Sequence, residues 1–134
     1  MRVMGLDVGD KYIGVAISDE LRLTAQGIKT IKSEGCIEAL KENIKEYEVG
    51  SIIVGLPRML NGSLGIQGEK VLKFIEDLKA SLGLPTFLWD ERLSTIAAQR
   101  SLIEAGKGRK KRKGLKDKVS AVIILQGYLD SINR

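Results

Sequence analysis

The order of apolar segments and turn residues restricts the possible folds of this chain more than any other feature. Apolar runs at Val3–Val8 and Tyr12–Ser18 are separated by Gly9-Asp10-Lys11, which is typical of a tight turn. A third strand is predicted over residues 21–31, with an interruption near Gln26-Gly27. Three successive strands with short connections predict an antiparallel meander at the start of the chain.

Helical periodicity and short apolar strands alternate after this meander. Helices are predicted over 34–47, from Val71 to Leu82, over 94–106 and over 117–132, and strands over 51–55 and 86–89. Ser33 is predicted to cap the first helix, and 58–68 reads as a polar loop. Strands that alternate with helices imply parallel crossovers. We therefore expect an α/β fold with a five-stranded mixed sheet, its first three strands antiparallel, and helices on both faces. This is the ribonuclease H-like arrangement, and we expect it to form a single domain over residues 1–134.

The composition excludes several kinds of chemistry. The 134 residues include no histidine, which removes Ser–His and Cys–His hydrolysis and zinc sites that contain histidine. Acid–base or metal chemistry must then rest on carboxylates, lysines or tyrosines, and carboxylates favour Mg²⁺ or Mn²⁺. The one cysteine, Cys36, excludes an internal disulfide framework and fits a reducing compartment. No apolar run reaches the ~20 residues of a membrane span, and no signal-peptide pattern is present. We expect a cytoplasmic protein that does not interact with membranes.

The positive charge is concentrated in one segment. Between Lys107 and Lys118 the chain reads KGRKKRKGLKDK, which holds eight of the 22 basic residues and one of the 17 acidic residues. The rest of the chain holds 14 basic and 16 acidic residues, a net charge of −2, although the whole chain carries +5. Such a cluster predicts a polyanionic partner, nucleic acid first and an anionic membrane second. The alternative is a solvated lysine-rich loop without a partner.

Acidic residues stand where the local pattern asks for apolar ones. Asp7 lies near the end of the first strand, Asp90 and Glu91 follow the strand FLW, and Asp117 shares a helical face with Ala121, Ile124 and Tyr128. Ligands in such sheets gather at the carboxyl ends of the strands. Clustered carboxylates must hold protons or cations, and two divalent ions bridged by them would suit phosphodiester cleavage.

Each acidic residue also has an ordinary structural explanation. Asp117 could cap the last helix, and Asp90 could form a turn or an ion pair with Arg92. Asp7 has no obvious structural role inside an apolar strand.

Four motifs in their order along the whole chain resemble the YqgF (RuvX) family. They are GLDVGDKYIGVAISD, IIVGLPRMLNGS, DERLST and DKVSAVIILQGYLD. Members of that family are small bacterial ribonuclease H-like proteins that are similar to Holliday-junction resolvases and are described as nucleases maturing the small-subunit (16S) ribosomal RNA precursor. Departures are modest: Asp10 stands where Ser or Thr is common, AQG at 25–27 replaces a frequent Ala-x-Pro, and Ser120 replaces alanine.

The resemblance implies a role for individual residues. Asp7, Glu91 and Asp117 would be the catalytic residues and the ligands of Mg²⁺ or Mn²⁺. Gly9, Lys11 and Gly14 match the family's first hairpin, and Gly55, Leu56 and Pro57 match its G-L-P loop. Contacts to nucleic acid are expected from Lys11, Arg58, Asn61, Arg92, Thr95, Arg109, Lys110, Lys111, Arg112 and Lys113.

Three other functions remain open at this point. A Holliday-junction resolvase would keep the chemistry and cut DNA junctions, normally as a dimer. A binding factor for RNA or ribosome assembly would use the basic segment to bind RNA but would not cleave it. An ATP-binding module of the actin and Hsp70 type shares the first hairpin, but needs two such domains. The residues do not fix the oligomeric state, either a monomer or a weak homodimer.

Overall fold

The elements of the chain follow the predicted order. The computed structural model describes residues 1–57, 61–90 and 109–133, and of residues 109–118 it describes the backbone alone. The elements are β1 (Arg2–Val8), β2 (Tyr12–Ser18), β3 (Ala25–Lys32), α1 (Cys36–Tyr47), β4 (Val49–Leu56), α2 (Gly65–Leu82), β5 (Thr86–Asp90) and α3 (Arg109–Ile132). The helix predicted over 94–106 lies outside the described residues, and the single-domain expectation stays a prediction. In the described part, no helix has the length and apolar character that a bilayer span requires.

The sheet is five-stranded and mixed, as predicted, in the order β3-β2-β1-β4-β5. β1 pairs antiparallel with β2 and parallel with β4, and β4 pairs parallel with β5. The carboxyl ends of β1, β4 and β5 therefore share one edge of the sheet. The interruption predicted near Gln26-Gly27 is confirmed as a register shift, since Val15 pairs with Lys29 and Ala16 with Gly27.

Both faces of the sheet carry helices. On one face, Met4 and Leu6 of β1 are fully buried in a core with residues of α1 and α2, among them Leu40 and Leu78. On the other face, Val3 belongs to a smaller core with residues of α3. Because side chains alternate along a strand, Asp7 lies on the same face as Val3 and Gly5, which is the face that α3 covers.

Two helices begin earlier than the sequence predicts. α2 begins at Gly65, inside the stretch predicted as a loop. Its apolar pattern was hidden because the buried position one turn before Val71 is Gly68, where an added Cβ would lie 2.9 Å from the Pro57 carbonyl oxygen. α3 begins at Arg109, so residues 109–116, which precede the helix predicted over 117–132, are helical as well. Lysine and arginine are good helix formers, but a run of basic residues without apolar positions shows no helical periodicity.

Two further expectations were wrong. The apolar residues of TFLW predict a buried strand, but in β5 Phe87 and Leu88 are 50% and 39% exposed. β5 is the last strand of the described sheet and has a strand neighbour on one side alone. Ser33 does not cap α1, whose N-cap position is Gly35 and has no side-chain cap hydrogen bond. The hydroxyl group of Ser33 donates instead to the Gly9 carbonyl oxygen at 2.9 Å.

Candidate metal and nucleic-acid site

Asp7 lies at the edge of the sheet where parallel strands end. It is the next-to-last residue of β1 and is half-buried rather than buried. Its partner in β2 is Gly14. On the other side, Leu6 pairs with Val54, so the next residue of β4 at this level is Gly55. Asp7 thus lies between two residues without side chains on the face that α3 covers.

α3 crosses β1 at very short distance. A Cβ added to Gly5 would lie 2.7 Å from Leu125 Cβ and 3.3 Å from the Ala121 carbonyl oxygen. The glycine at position 5 is therefore required for the helix to approach the strand this closely.

The direction of α3 follows from its contacts with the loop between β2 and β3. Asn133 donates to the Arg22 carbonyl oxygen at 2.7 Å, and Gln126 donates to that of Leu23 at 2.9 Å. This loop lies at the end of the sheet where β1 begins. The carboxyl end of α3 is consequently near the start of β1, and its amino end points toward Asp7.

The backbone of α3 carries Asp117 toward the same level as Asp7. From Gly5 to Asp7 the strand advances about 6–7 Å. From Ala121 back to Asp117 the helix advances about 6 Å in the same direction. Asp117 lies inside α3 and not at its first residue, so the helix-capping explanation does not hold. Ala121 and Ile124, on the helical face predicted for Asp117, are buried against the sheet.

The third predicted ligand lies outside the described residues. Asp90, half-buried, ends β5 and pairs with Leu56, and Glu91 follows it in the sequence. Trp89 pairs with Gly55, at the level of Asp7. Its indole lies edge-on to Tyr128, with ring centroids 6.3 Å apart, and thereby fixes β5 to α3. Arg92, the ion-pair partner considered for Asp90, also lies outside the described residues.

The turn after Asp7 is held from two sides. Gly9 N–H donates to the Tyr12 carbonyl oxygen at 2.9 Å, and a Cβ at Gly9 would lie 2.8 Å from that oxygen. Ser33 donates its hydroxyl to the Gly9 carbonyl and its N–H to the Lys11 carbonyl, each at 2.9 Å. Gln67 of α2 donates to the Val8 carbonyl oxygen at 3.3 Å.

Sequence reasoning missed Gln67 and gave Ser33 another role. Their contacts join segments that are far apart in the chain, and Gln67 stood in a predicted loop, so no local pattern could indicate them.

The predicted nucleic-acid residues are described in part. Lys11 is exposed in the turn after Asp7. Asn61 is exposed, and its side-chain oxygen accepts hydrogen bonds from the N–H and the hydroxyl of Ser63 at 3.0 and 2.7 Å, which shapes the loop before α2. Residues 109–113 form the first turns of α3. Arg58, Arg92 and Thr95 lie outside the described residues.

The described side chains leave the metal-ligand prediction untested. Among them, no three histidine, cysteine, aspartate or glutamate residues are grouped closely enough to hold a metal ion. Two of the three predicted ligands, Glu91 and the side chain of Asp117, are not part of that set. Cys36 is 5% exposed, and burial raises the pKa of its thiol, in agreement with a core role.

Comparison with known proteins identifies the family. The family model RuvX, described as Holliday junction resolvase, matches residues 1–131. The chain belongs to the RuvX family.

Close relatives of this RuvX chain cover it almost completely. A protein of Clostridioides difficile (strain 630) is 61% identical, over 96% of this chain and 94% of the relative. One of Thermoanaerobacter pseudethanolicus is 58% identical, over 98% and 97%. Both carry the name "Putative pre-16S rRNA nuclease".

Solved structures confirm the fold of this RuvX chain. Thermus thermophilus RuvC, in complex with Holliday junction substrate, aligns with a TM-score of 0.57 at 17% identity, over 99% of this chain and 96% of that one. The fowlpox virus resolvase, in complex with Holliday junction DNA, aligns with a TM-score of 0.60 at 13% identity over the full length of both chains. These likenesses show the ribonuclease H-like fold and leave the substrate open.

Proposed function

We propose that this RuvX-family protein is a divalent-metal-dependent nuclease that hydrolyses phosphodiester bonds in the small-subunit ribosomal RNA precursor. The observation that carries the proposal is the position of Asp7 at the strand-end edge, between Gly14 and Gly55, under the helix that contains Asp117. The names of the relatives, at 61% and 58% identity, supply the substrate. Work on that substrate implies a cytoplasmic protein.

Asp7, Glu91 and Asp117 are the proposed ligands of Mg²⁺ or Mn²⁺. Carboxylates are the donors that these hard ions favour, and neither strand neighbour of Asp7, Gly14 or Gly55, brings a side chain beside it. When bound, the ions would make a water molecule nucleophilic at neutral pH and offset negative charge on the leaving oxygen. The protein's own part is to fix Asp7, through the turn contacts of Ser33 and Gln67, and to bring α3 against β1 at Gly5.

The first turns of α3 are the proposed grip on nucleic acid. Five consecutive basic residues, Arg109 to Lys113, follow one another in a helix, so their positions surround its axis rather than form a single stripe. They lie at the amino end of α3, where the helix dipole adds positive potential, about one to two turns before Asp117. Phosphates held there would lie beside the proposed metal site.

A second candidate function is the resolution of DNA junctions. The description of the matching family model, Holliday junction resolvase, favours it. It keeps the same carboxylates, and it requires two copies of the chain for symmetric cutting.

Cleavage by active-site variants tests the proposal. We expect wild-type protein to cut a ribosomal RNA precursor fragment in Mg²⁺ or Mn²⁺ and not in EDTA. Asp7→Asn and Asp117→Asn should each lose more than about 100-fold in rate, since even partners behind a metal ligand change activity by about 10–100-fold. Asp77→Asn is the matched control, because Asp77 is an exposed acid of α2.

The same assay distinguishes the alternatives. Asparagine variants that cut as fast as wild type would refute the carboxylate mechanism. Cutting of a four-way DNA junction in preference to the RNA would favour the resolvase, and binding without cutting in either metal would favour a binding factor.

A further inference from the structure

The tip of the first hairpin forms an ion pair with α2. Lys70 Nζ lies 3.2 Å from Asp10 Oδ1, although the two residues are far apart in the sequence. Both side chains are exposed, Lys70 by 57% and Asp10 by 67%. Exposed pairs of this kind contribute at most about 1 kcal/mol to stability, so folding alone gives little reason for this one.

The pair lies at the edge of the sheet where Asp7 lies. Asp10 is three residues after Asp7, in the turn that Gln67 and Ser33 hold. Gly68, two residues before Lys70, packs against the Pro57 carbonyl at the end of β4. The Lys70 ammonium group is thus fixed to the strand-end edge on the side of α2, whereas α3 lies on the opposite face.

Asp10 pairs with Lys70 across the gap to α2, and Lys11 follows Asp10 in the sequence. A carboxylate that accepts a hydrogen bond from an exposed lysine resembles a backbone phosphate, because both offer negatively charged oxygen acceptors to the ammonium group. Since the pair is weak and open to solvent, a phosphate can take the place of the Asp10 carboxylate at little cost.

We propose that Lys70 is a phosphate-binding residue of the nucleic-acid site, and that Asp10 occupies it until a backbone phosphate displaces the carboxylate. The substrate would then be contacted on both sides of the strand-end edge, by Lys11 and Lys70 on one side and by the first turns of α3 on the other. Asp10 would lower the affinity for any polyanion that does not reach Lys70. This inference rests on the proposed function, because it presumes a nucleic-acid substrate.

A double-mutant cycle tests the exchange. Binding of a short synthetic RNA stem–loop is measured in EDTA, without cleavage, over about 50–200 mM KCl. Lys70→Gln should weaken binding and reduce the slope of log K against log salt by about 0.7–0.9, the contribution of one phosphate contact. Asp10→Asn should tighten binding about two- to fivefold, the range that exposed ion pairs correspond to.

The cycle separates release of Lys70 from a general loss of negative charge. In the Lys70→Gln background, Asp10→Asn should tighten binding much less, because the Lys70 ammonium group that the substitution releases is absent. Lys79→Gln is the matched control, since Lys79 is exposed in the last turn of the same helix, far from the strand-end edge.

Three results would overturn the inference. They are a Lys70→Gln slope equal to that of wild type, an Asp10→Asn effect of the same size in both backgrounds, and a wild-type protein that does not bind the stem–loop. The nuclease proposal is judged separately, by cleavage with Asp7→Asn, so that either can fail while the other holds.

Discussion

At the scale of single residues, Asp7 could be identified from the sequence because a carboxylate interrupts an apolar strand. Its surroundings could not be derived that way. That Gly14 and Gly55 are its neighbours depends on strand register, which joins β1 to β2 and to β4. The Asp10–Lys70 pair could not be predicted either. It connects a turn with α2, and the sequence predicted the start of that helix several residues after its actual start.

Asp19 provides a residue-scale prediction on pH. Its carboxylate accepts the N–H groups of Thr24 and Leu23, and these hydrogen bonds hold its pKa below the ordinary 3.8. A lowered folded-state pKa stabilises the protein above the unfolded-state pKa, and the contribution is lost as pH falls through the folded value. Asp19→Ala should therefore lower the unfolding midpoint at neutral pH and differ progressively less from wild type below pH 3.8.

Chemical unfolding of both proteins across that pH range measures the effect. A difference between wild type and Asp19→Ala that stays constant down to the lowest pH would contradict the assigned hydrogen bonds. Ser63→Ala is a suitable control, because Ser63 lies in a loop without any ionisable partner among the described contacts.

At the scale of elements, local patterns predicted the strands and their order along the chain, although β3 begins at Ala25 and not at residue 21. Continuous apolar runs mark β1 and β2, and the turn residues Gly9 to Lys11 join them. The beginnings of α2 and α3 were wrong for different reasons. A buried glycine, Gly68, interrupted the apolar pattern of α2. Residues 109–113 are all basic, so no apolar pattern marked the start of α3.

The contact between β1 and α3 gives an element-scale prediction. Gly5→Ala places a methyl group 2.7 Å from Leu125 Cβ, so the helix must move away from the strand. We expect a loss of about 1–3 kcal/mol in the free energy of unfolding. Cleavage should slow as well, because the shift also displaces Asp117 relative to Asp7.

Urea unfolding and cleavage rates test this, with Gly50→Ala as the control. The Cβ added at Gly50 lies 2.8 Å from Met1 Cβ, and Met1 is 77% exposed, so it can shift without displacing a buried element. If Gly5→Ala were as stable and as active as Gly50→Ala, the close approach of α3 to β1 would not position the site.

At the scale of the whole molecule, the two ends of the sheet differ in character. Asp7 and the Asp10–Lys70 pair lie at one end, and the basic amino end of α3 points toward it. The other end carries the loop between β2 and β3, tied to α3 by Gln126 and Asn133. This polarity follows from the parallel pairing of β1, β4 and β5, which the helix–strand alternation in the sequence predicted.

The most direct measurement of the central claim is a crystal structure of the protein soaked in Mn²⁺, with the ions located by their anomalous scattering. The account predicts Mn²⁺ bound by carboxylate oxygen atoms of Asp7, Glu91 and Asp117 at the strand-end edge, and its loss in Asp7→Asn crystals. Well-ordered side chains of these three residues without Mn²⁺, or Mn²⁺ that persists unchanged in Asp7→Asn, would contradict it.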